Sequence, residues 1–361
     1  MERLSYFDLH ADTLTTLLRS DGTLERNALQ ASISGGRCFE SYSQVWAIFT
    51  EPGVSYAASW ERLRAALSHS ARYLTPQSGT PDGDNRPADP STLPFGGTRS
   101  YTPYLSIENA TMVSRDTMEG DTEYLARCGV RLVAPVWRGE NALGGAHNTA
   151  VGLTRLGEAF IREIMRRGMV PDVSHCSHES TAQIISAAEA AGSPAIASHS
   201  CSAALCGADR NLTDDEFSAL VRIGGIVGVS LYPPHLDDSG HADAERAAEH
   251  IMHYLSLGGE HAVCLGCDLD GIESTPDGID GIRDLPKLAD SLVSLGASAE
   301  TVERVFYRNA QEFFDRNGLE PLGDRELRYA ATTLPPSLGS LIYAANERHN
   351  YSTSEPHGSD I

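Results

Sequence analysis

The sequence predicts an α/β protein, a (β/α)8 TIM barrel, on three observations. Eight short apolar runs recur along the chain, amphipathic stretches separate many of them, and no Gly-rich dinucleotide fingerprint follows the first run. The runs are 5–9, 44–49, 104–107, 131–136, 169–173, 195–198, 225–231 and 262–266. Strands that alternate with helices pair in parallel, and eight of them favour closure over an open doubly wound sheet.

Helical periodicity covers 57–73, 154–167, 177–191, 214–223 and 243–257. Ser177-His-Glu-Ser180 precedes an Ala/Ile-rich run, and Thr213-Asp-Asp-Glu216 reads as a capping box, so both mark helix starts. The barrel is expected over 1–316. Residues 317–361 decay into a Pro/Ser/His-containing C-terminal appendage, expected to serve as an oligomer contact. Residues 75–103, rich in Pro, Gly, Asp and Ser, read as a long loop before the third strand.

Composition narrows the partners. The 361 residues are 41% hydrophobic, enough for one large core, and the formal charge of −21 disfavours nucleic acid and anionic membrane as ligands. No window approaches a membrane span, and no apolar stretch follows a basic start, so a cytoplasmic protein is expected. Seven cysteines, an odd number, are expected to be reduced thiols; Cys264 and Cys267 form a lone CxxC inside an apolar run and read as buried thiols. The oligomeric state is open, a homodimer being the commonest outcome.

Chemistry-bearing residues fall at the carboxyl ends of the predicted strands, where barrels build their sites. His10 and Asp12 follow the first strand, Glu108 the third, His175 the fifth, His199 the sixth and Asp268 the eighth. In an extended segment His-x-Asp points both side chains to one face. Alone that spacing is weak evidence, and each Ser-His pair at a strand end reads equally as a satisfied core histidine. Together, three imidazoles and two carboxylates suit zinc and similar metals, and suffice for two ions if one carboxylate bridges. Glu108, alone on its strand, is the expected bridge. Two such ions could hold a hydroxide and polarise a carbonyl. His250 and His253 read as a helix face, His178 as packing or capping, and Asp270 as a turn cap. His147, in a Gly-rich loop, is unassigned.

These stretches resemble the membrane dipeptidase (renal dipeptidase) family of zinc metallopeptidases, within the amidohydrolase-like barrels, as a bacterial-type member. The resemblance rests on Asp8-Leu-His-Ala-Asp-Thr-Leu14, Leu105-Ser-Ile-Glu-Asn109, Asp172-Val-Ser-His-Cys-Ser177 and Ala197-Ser-His-Ser200. It continues through Asp209-Arg-Asn211, Gly228-Val-Ser-Leu-Tyr232, Gly266-Cys-Asp-Leu-Asp-Gly271 and Arg308-Asn-Ala310. It spans about residues 6–314, in the family's order.

The resemblance implies a metallo-dipeptidase with two zinc ions per chain. His10 and Asp12 would bind one, His175 and His199 the other, with Glu108 bridging. Asp268 would shuttle a proton from the bridging water to the leaving amine. Arg210 would hold the substrate carboxylate, and Tyr232 would line the pocket. The chain departs from the pattern at Trp137, where a His is usual as the partner of the scissile carbonyl oxygen; Asn141 or His147 could substitute. Trp137 and Asn141 are therefore expected at the substrate. A second departure is Asn109, where glycine is usual. Rival readings keep the metals but change the substrate to another amide, a β-lactam or a lactone, or retain the barrel as a non-catalytic binding protein.

Overall fold

The computed structural model describes residues 4–76 and 100–338. Seven parallel strands lie in one sheet: β1 (Tyr6–Ala11), β2 (Ser41–Phe49), β3 (Ser100–Glu108), β4 (Val130–Ala134), β5 (Val170–Pro171), β6 (Val227–Val229) and β7 (Val263–Leu265). Their order is β5-β4-β3-β2-β1-β7-β6, which leaves β5 and β6 as the two edges.

Residues 195–198, the sixth predicted run, join those edges. Parallel bridges pair Asp172 with Ile196 and Ala197 with Val227. Backbone hydrogen bonds run from Ile196 N to Pro171 O (3.0 Å), Val173 N to Ile196 O (2.8 Å), Ala197 N to Ile226 O (3.1 Å) and Gly228 N to Ala197 O (2.8 Å). Side chains take the next two amides, before backbone pairing to β6 resumes with Ser200 N on Gly228 O (2.7 Å). Asp172 Oδ1 accepts from Ser198 N (2.9 Å), and Ser174 Oγ accepts from His199 N (3.0 Å). The ring is thus an eight-stranded barrel in which one strand is secured as much by side chains as by its ladder.

The interior confirms closure. Phe7, Val45, Tyr104, Leu132, Val170, Ile196, Ile226 and Cys264 form one buried cluster, one residue from each strand or its first flank. Phe313 and Phe314, from the helix Asn309–Arg316, join that cluster. Phe314 stacks at an angle on Phe7 and Tyr104, with ring centroids 4.8 and 4.5 Å apart, so this helix plugs the floor of the barrel. A second, larger cluster fills the space between strands and helices. The mouth at the opposite end is the only one left for polar groups, as in barrels generally.

The predicted helices form as Tyr56–Ser70, Arg155–Arg166, His178–Ala191, Asp214–Arg222 and Ala244–Ser256. Ser177 Oγ accepts from Ser180 N, and both halves of the Thr213–Glu216 capping box are made. The loop expected over 75–103 is shorter at its end, because β3 already starts at Ser100; residues 77–99 lie outside the described residues. The tail contains a helix, Asp324–Thr332, that sequence periodicity did not reveal. It lies on the barrel's helical layer: Tyr124 Oη donates to Thr333 O (3.2 Å), the Tyr124 and Tyr329 rings are 5.5 Å apart, and Leu322 is fully buried. Residues 339–361 lie outside the described residues. No helix among the described residues is long and apolar enough to cross a membrane. Cys264 and Cys267 are buried free thiols.

Candidate active site

Simple alternation would not aim His10 at the mouth. Phe7 and Leu9 face the barrel interior, while Tyr6 and Ala11 face the outer layer. Strict period two would therefore send His10 outward. Pairing with β2 shifts register between Asp8 and Ala11, and this bulge turns His10 inward with Asp12 following. Asp8 stabilises the shifted backbone: its Oδ1 accepts from His10 N (3.3 Å) and Cys267 N (2.9 Å), and Tyr6 Oη donates to its Oδ2 (2.7 Å).

Two further site residues are aimed by backbone that side chains rarely adopt. His175 (φ 71°) and Asp268 (φ 61°) lie in the left-handed region, together with Asn109 (φ 63°) and Asp270 (φ 68°). All four stand just beyond strand ends, and Asn, Asp and His are the non-glycine types that best tolerate this conformation. This explains the departure at Asn109, where glycine would serve the same backbone. Such strain at the rim of a site is a mark of function.

The side chains converge. His10 Nε2 lies 3.4 Å from Asp12 Oδ2, 3.6 Å from Glu108 Oε2 and 3.8 Å from Asp268 Oδ1. His175 Nε2 is 2.7 Å from Glu108 Oε1 and 2.9 Å from His199 Nε2; His199 Nε2 is 3.7 Å from the same Oε1. Three overlapping sets of donors result among the described residues, His10/Asp12/Glu108, Glu108/His175/His199 and His10/His199/Asp268, each with its atoms within 4.8 Å of one another. Glu108 is common to the first two and turns a different oxygen to each.

These residues fit divalent cations. Both ring nitrogens of His10 and Asp12 Oδ1 are buried without a hydrogen-bond partner. Two imidazole nitrogens 2.9 Å apart cannot be satisfied by each other unless one is protonated and one is not, whereas both can ligate metal. His199 Nδ1 meets Ser198 Oγ at 2.7 Å, the kind of outer contact that fixes a ligating ring.

The electrostatics agree. Burial, with Arg210 adding, holds His175 well below the usual imidazole range, and burial with His10 does the same for His199, so both are neutral as ligands must be. Burial also opposes a proton on His10, but the Glu108 and Asp12 carboxylates outweigh it and raise its pKa. That field would equally favour a cation. Burial pushes the Asp268 carboxyl well up, with Asp12 and Glu108 adding and His10 and Arg210 opposing.

The site opens into a cavity of about 490 Å³ at the barrel mouth. Trp137, Arg210 and Tyr232 line it, as the sequence led us to expect. Arg210 is buried; its guanidinium donates to Ser200 Oγ (2.7 Å) and His199 O (2.8 Å), and its Nε has no partner. Trp137 packs edge-on against Phe49, with centroids 4.9 Å apart. Asn141, expected at the substrate, is not among the residues that line the cavity. Its amide donates to Asn109 Oδ1 and Pro135 O and accepts from Leu143 N and Gly144 N, so it braces the loop instead. His147 does line the cavity, and so does His235, which sequence reasoning missed although it stands three residues beyond Tyr232. Asp270 is a latch: it accepts from Thr13, Gln30 N (2.6 Å) and Ala31 N (3.3 Å).

A barrel with overlapping metal-ligand sets at its mouth is the arrangement of a metal-dependent enzyme. Residues 1–317 match the model of the membrane dipeptidase family, peptidase family M19, and the chain belongs to that family of metallo-dipeptidases. A protein encoded in the pqqA 5' region of Klebsiella pneumoniae is 32% identical over 201 residues, covering 52% of this chain and 73% of that one. Dipeptidase aclJ of Aspergillus oryzae is 35% identical over 188 residues, 51% of this chain but only 42% of that one. Among solved structures, a metallo peptidase from Rhodobacter sphaeroides liganded with a phosphinate mimic of the dipeptide L-Ala-D-Ala superposes with a TM-score of 0.69. It covers 88% of this chain and 100% of its own at 20% identity, which is a likeness of fold.

Proposed function

We propose that the protein hydrolyses the peptide bond of dipeptides at a binuclear zinc site, with His10 and Asp12 on one ion, His175 and His199 on the other, and Glu108 shared. The observation that carries this reading is Glu108, whose Oε2 faces His10 while its Oε1 faces His175 and His199. Bound zinc would supply Lewis acidity, polarising the scissile carbonyl and making water acidic enough to attack near neutral pH.

The chain's own groups do the rest. Arg210 anchors the substrate's terminal carboxylate through its unpartnered Nε and its planar fork, which favours carboxylates. Asp268 Oδ1, 3.8 Å from His10 Nε2, accepts the proton of the attacking water and returns it to the leaving amine. Trp137 and Tyr232 wall the cavity and exclude water from the reacting carbonyl. A closed floor and a fixed carboxylate anchor limit the length of peptide accepted.

The test is to incubate the zinc-loaded protein with dipeptides, their C-terminal amides and tripeptides, and to quantify free amino acids. Dipeptides should be cleaved and the other two left nearly intact. Equal cleavage of the amides would remove Arg210 from its role and favour a general amidohydrolase.

A further inference from the structure

The cavity wall of this acidic protein carries a cluster of arginines. The chain carries a formal charge of −21, yet Arg19, Arg62, Arg138 and Arg210 all line the cavity. Apart from the metal-ligand sets and Asp268, its acidic residues are Glu51, Asp270 and Glu273, and each is engaged. Glu51 pairs with Arg19 and lies 3.5 Å from Arg62. Asp270 is held by Thr13 and two backbone amides. Glu273 stands beside the Tyr232 phenol. Arg138 and Arg210 differ from the other two: among the described residues neither has a carboxylate within ion-pair distance, and Arg210 is instead held by Ser200 and the backbone of His199.

Arg138 shares its part of the wall with His147. Nδ1 of His147 is buried and has no hydrogen-bond partner, while the residue's backbone amide donates to His175 O at 2.8 Å, fixing it next to a metal-ligand histidine. Arg210 and Arg138 both act electrostatically on His147, and all three line the same cavity. Asp209 acts in the opposite sense and more weakly than either arginine. An anionic group entering between Arg138 and Arg210 would therefore meet two guanidiniums and an imidazole whose Nδ1 is unused. The region lies on the Arg210 side of the site, where the C-terminal residue of a bound dipeptide would sit.

We propose that Arg138, with His147 beside it, selects dipeptides whose C-terminal residue carries a side-chain carboxylate. This rests on the dipeptidase reading above and adds the substrate class. Arg138 acts as a specificity residue, while the terminal carboxylate remains with Arg210. The guanidinium is solvent-exposed, so its charge is partly screened and the discrimination is modest, about five- to tenfold.

The experiment measures kcat/KM for Ala-Asp, Ala-Lys and Ala-Ala, and dissociation constants for the corresponding phosphinate analogues, with wild type, Arg138→Gln and Arg138→Glu. Wild type should favour Ala-Asp over Ala-Lys about five- to tenfold or more. Arg138→Gln should bring that ratio close to one and Arg138→Glu should invert it, in binding as in turnover. A ratio near one in the wild type, or a ratio that Arg138→Glu leaves unchanged, overturns the proposal. If no dipeptide is turned over, the dipeptidase reading fails, and the ratio of analogue dissociation constants still decides the role of Arg138.

Discussion

Asp268 shows how much a single position can be asked to do. It stands in left-handed backbone beyond β7, its carboxylate 3.8 Å from His10 Nε2, and in the proposed mechanism it carries a proton rather than a metal. Asp268→Asn keeps the shape and removes the basicity. It should lower kcat about 10²–10⁴-fold while zinc content, read by mass spectrometry of the metal, stays at the wild-type level. Near wild-type turnover would end its assigned role. Gly271 is a neighbouring residue with a different function. A Cβ there would lie 2.3 Å from Asp12 Oδ2 and 2.5 Å from Asp268 Oδ1, so both carboxylates would have to move. Gly271→Ala should therefore weaken zinc retention about 10–100-fold, as disturbance of a ligand's support does, with the far-UV circular dichroism unchanged. The sequence made the proposed ligands legible, because each is a metal-type residue at a predicted strand end. What aims them was not legible: the bulge at Asp8–Ala11 and the positive φ of His175 and Asp268 leave no period in the sequence. The bracing contacts of Asn141 were hidden for a related reason. Its position beside Trp137 said nothing of the four hydrogen bonds that turn it into the loop.

At the scale of elements, the helix Ala244–Ser256 carries a testable pH dependence. His250 and His253 were read as one helix face, and the two part company in the structure. His253 Nε2 meets Asp214 Oδ1 at 2.8 Å on the half-open side. His250 is fully buried, its Nδ1 accepting from Ser202 N (3.0 Å) and its Nε2 donating to Leu236 O (2.8 Å), so both ring nitrogens are used by the neutral form. Burial holds its pKa down to about 4. The unfolded chain, with an imidazole near 6.5, takes up the proton first as pH falls. The contribution of His250 is thus complete above about pH 6.5 and is lost progressively toward pH 4, by at most about 3 kcal/mol. Urea midpoints at pH 7.5 and 5 should separate less for His250→Gln than for wild type; an equal separation would show that His250 does not titrate as stated. Strands and helices with a strong apolar period were read from sequence to within a few residues. The sixth run, 195–198, was also legible as apolar, although its hold on β5 depends on the carboxylate of Asp172, which periodicity cannot reveal.

For the molecule as a whole, the acidic surface and the arginine-lined cavity are separate designs. The surface charge of −21 favours solubility and repels anions at a distance, while the cavity wall offers them guanidiniums at close range. The helix Asp324–Thr332 extends the fold beyond the matched residues 1–317, and its packing on Tyr124 ties that segment to the barrel. Sequence reading foresaw the barrel because eight apolar runs need eight places in one sheet. It did not foresee this helix, whose turn of buried residues is too short to stand out. The central claim concerns the two metal sites that the barrel's mouth brings together through Glu108. Stepwise addition of zinc to the metal-depleted protein, with dipeptide hydrolysis followed at each step, tests it most directly. The account predicts activity that rises to a plateau at two equivalents per chain, and at one or none in Glu108→Gln. Full activity at a single equivalent in the wild type, or hydrolysis without any metal, would contradict it.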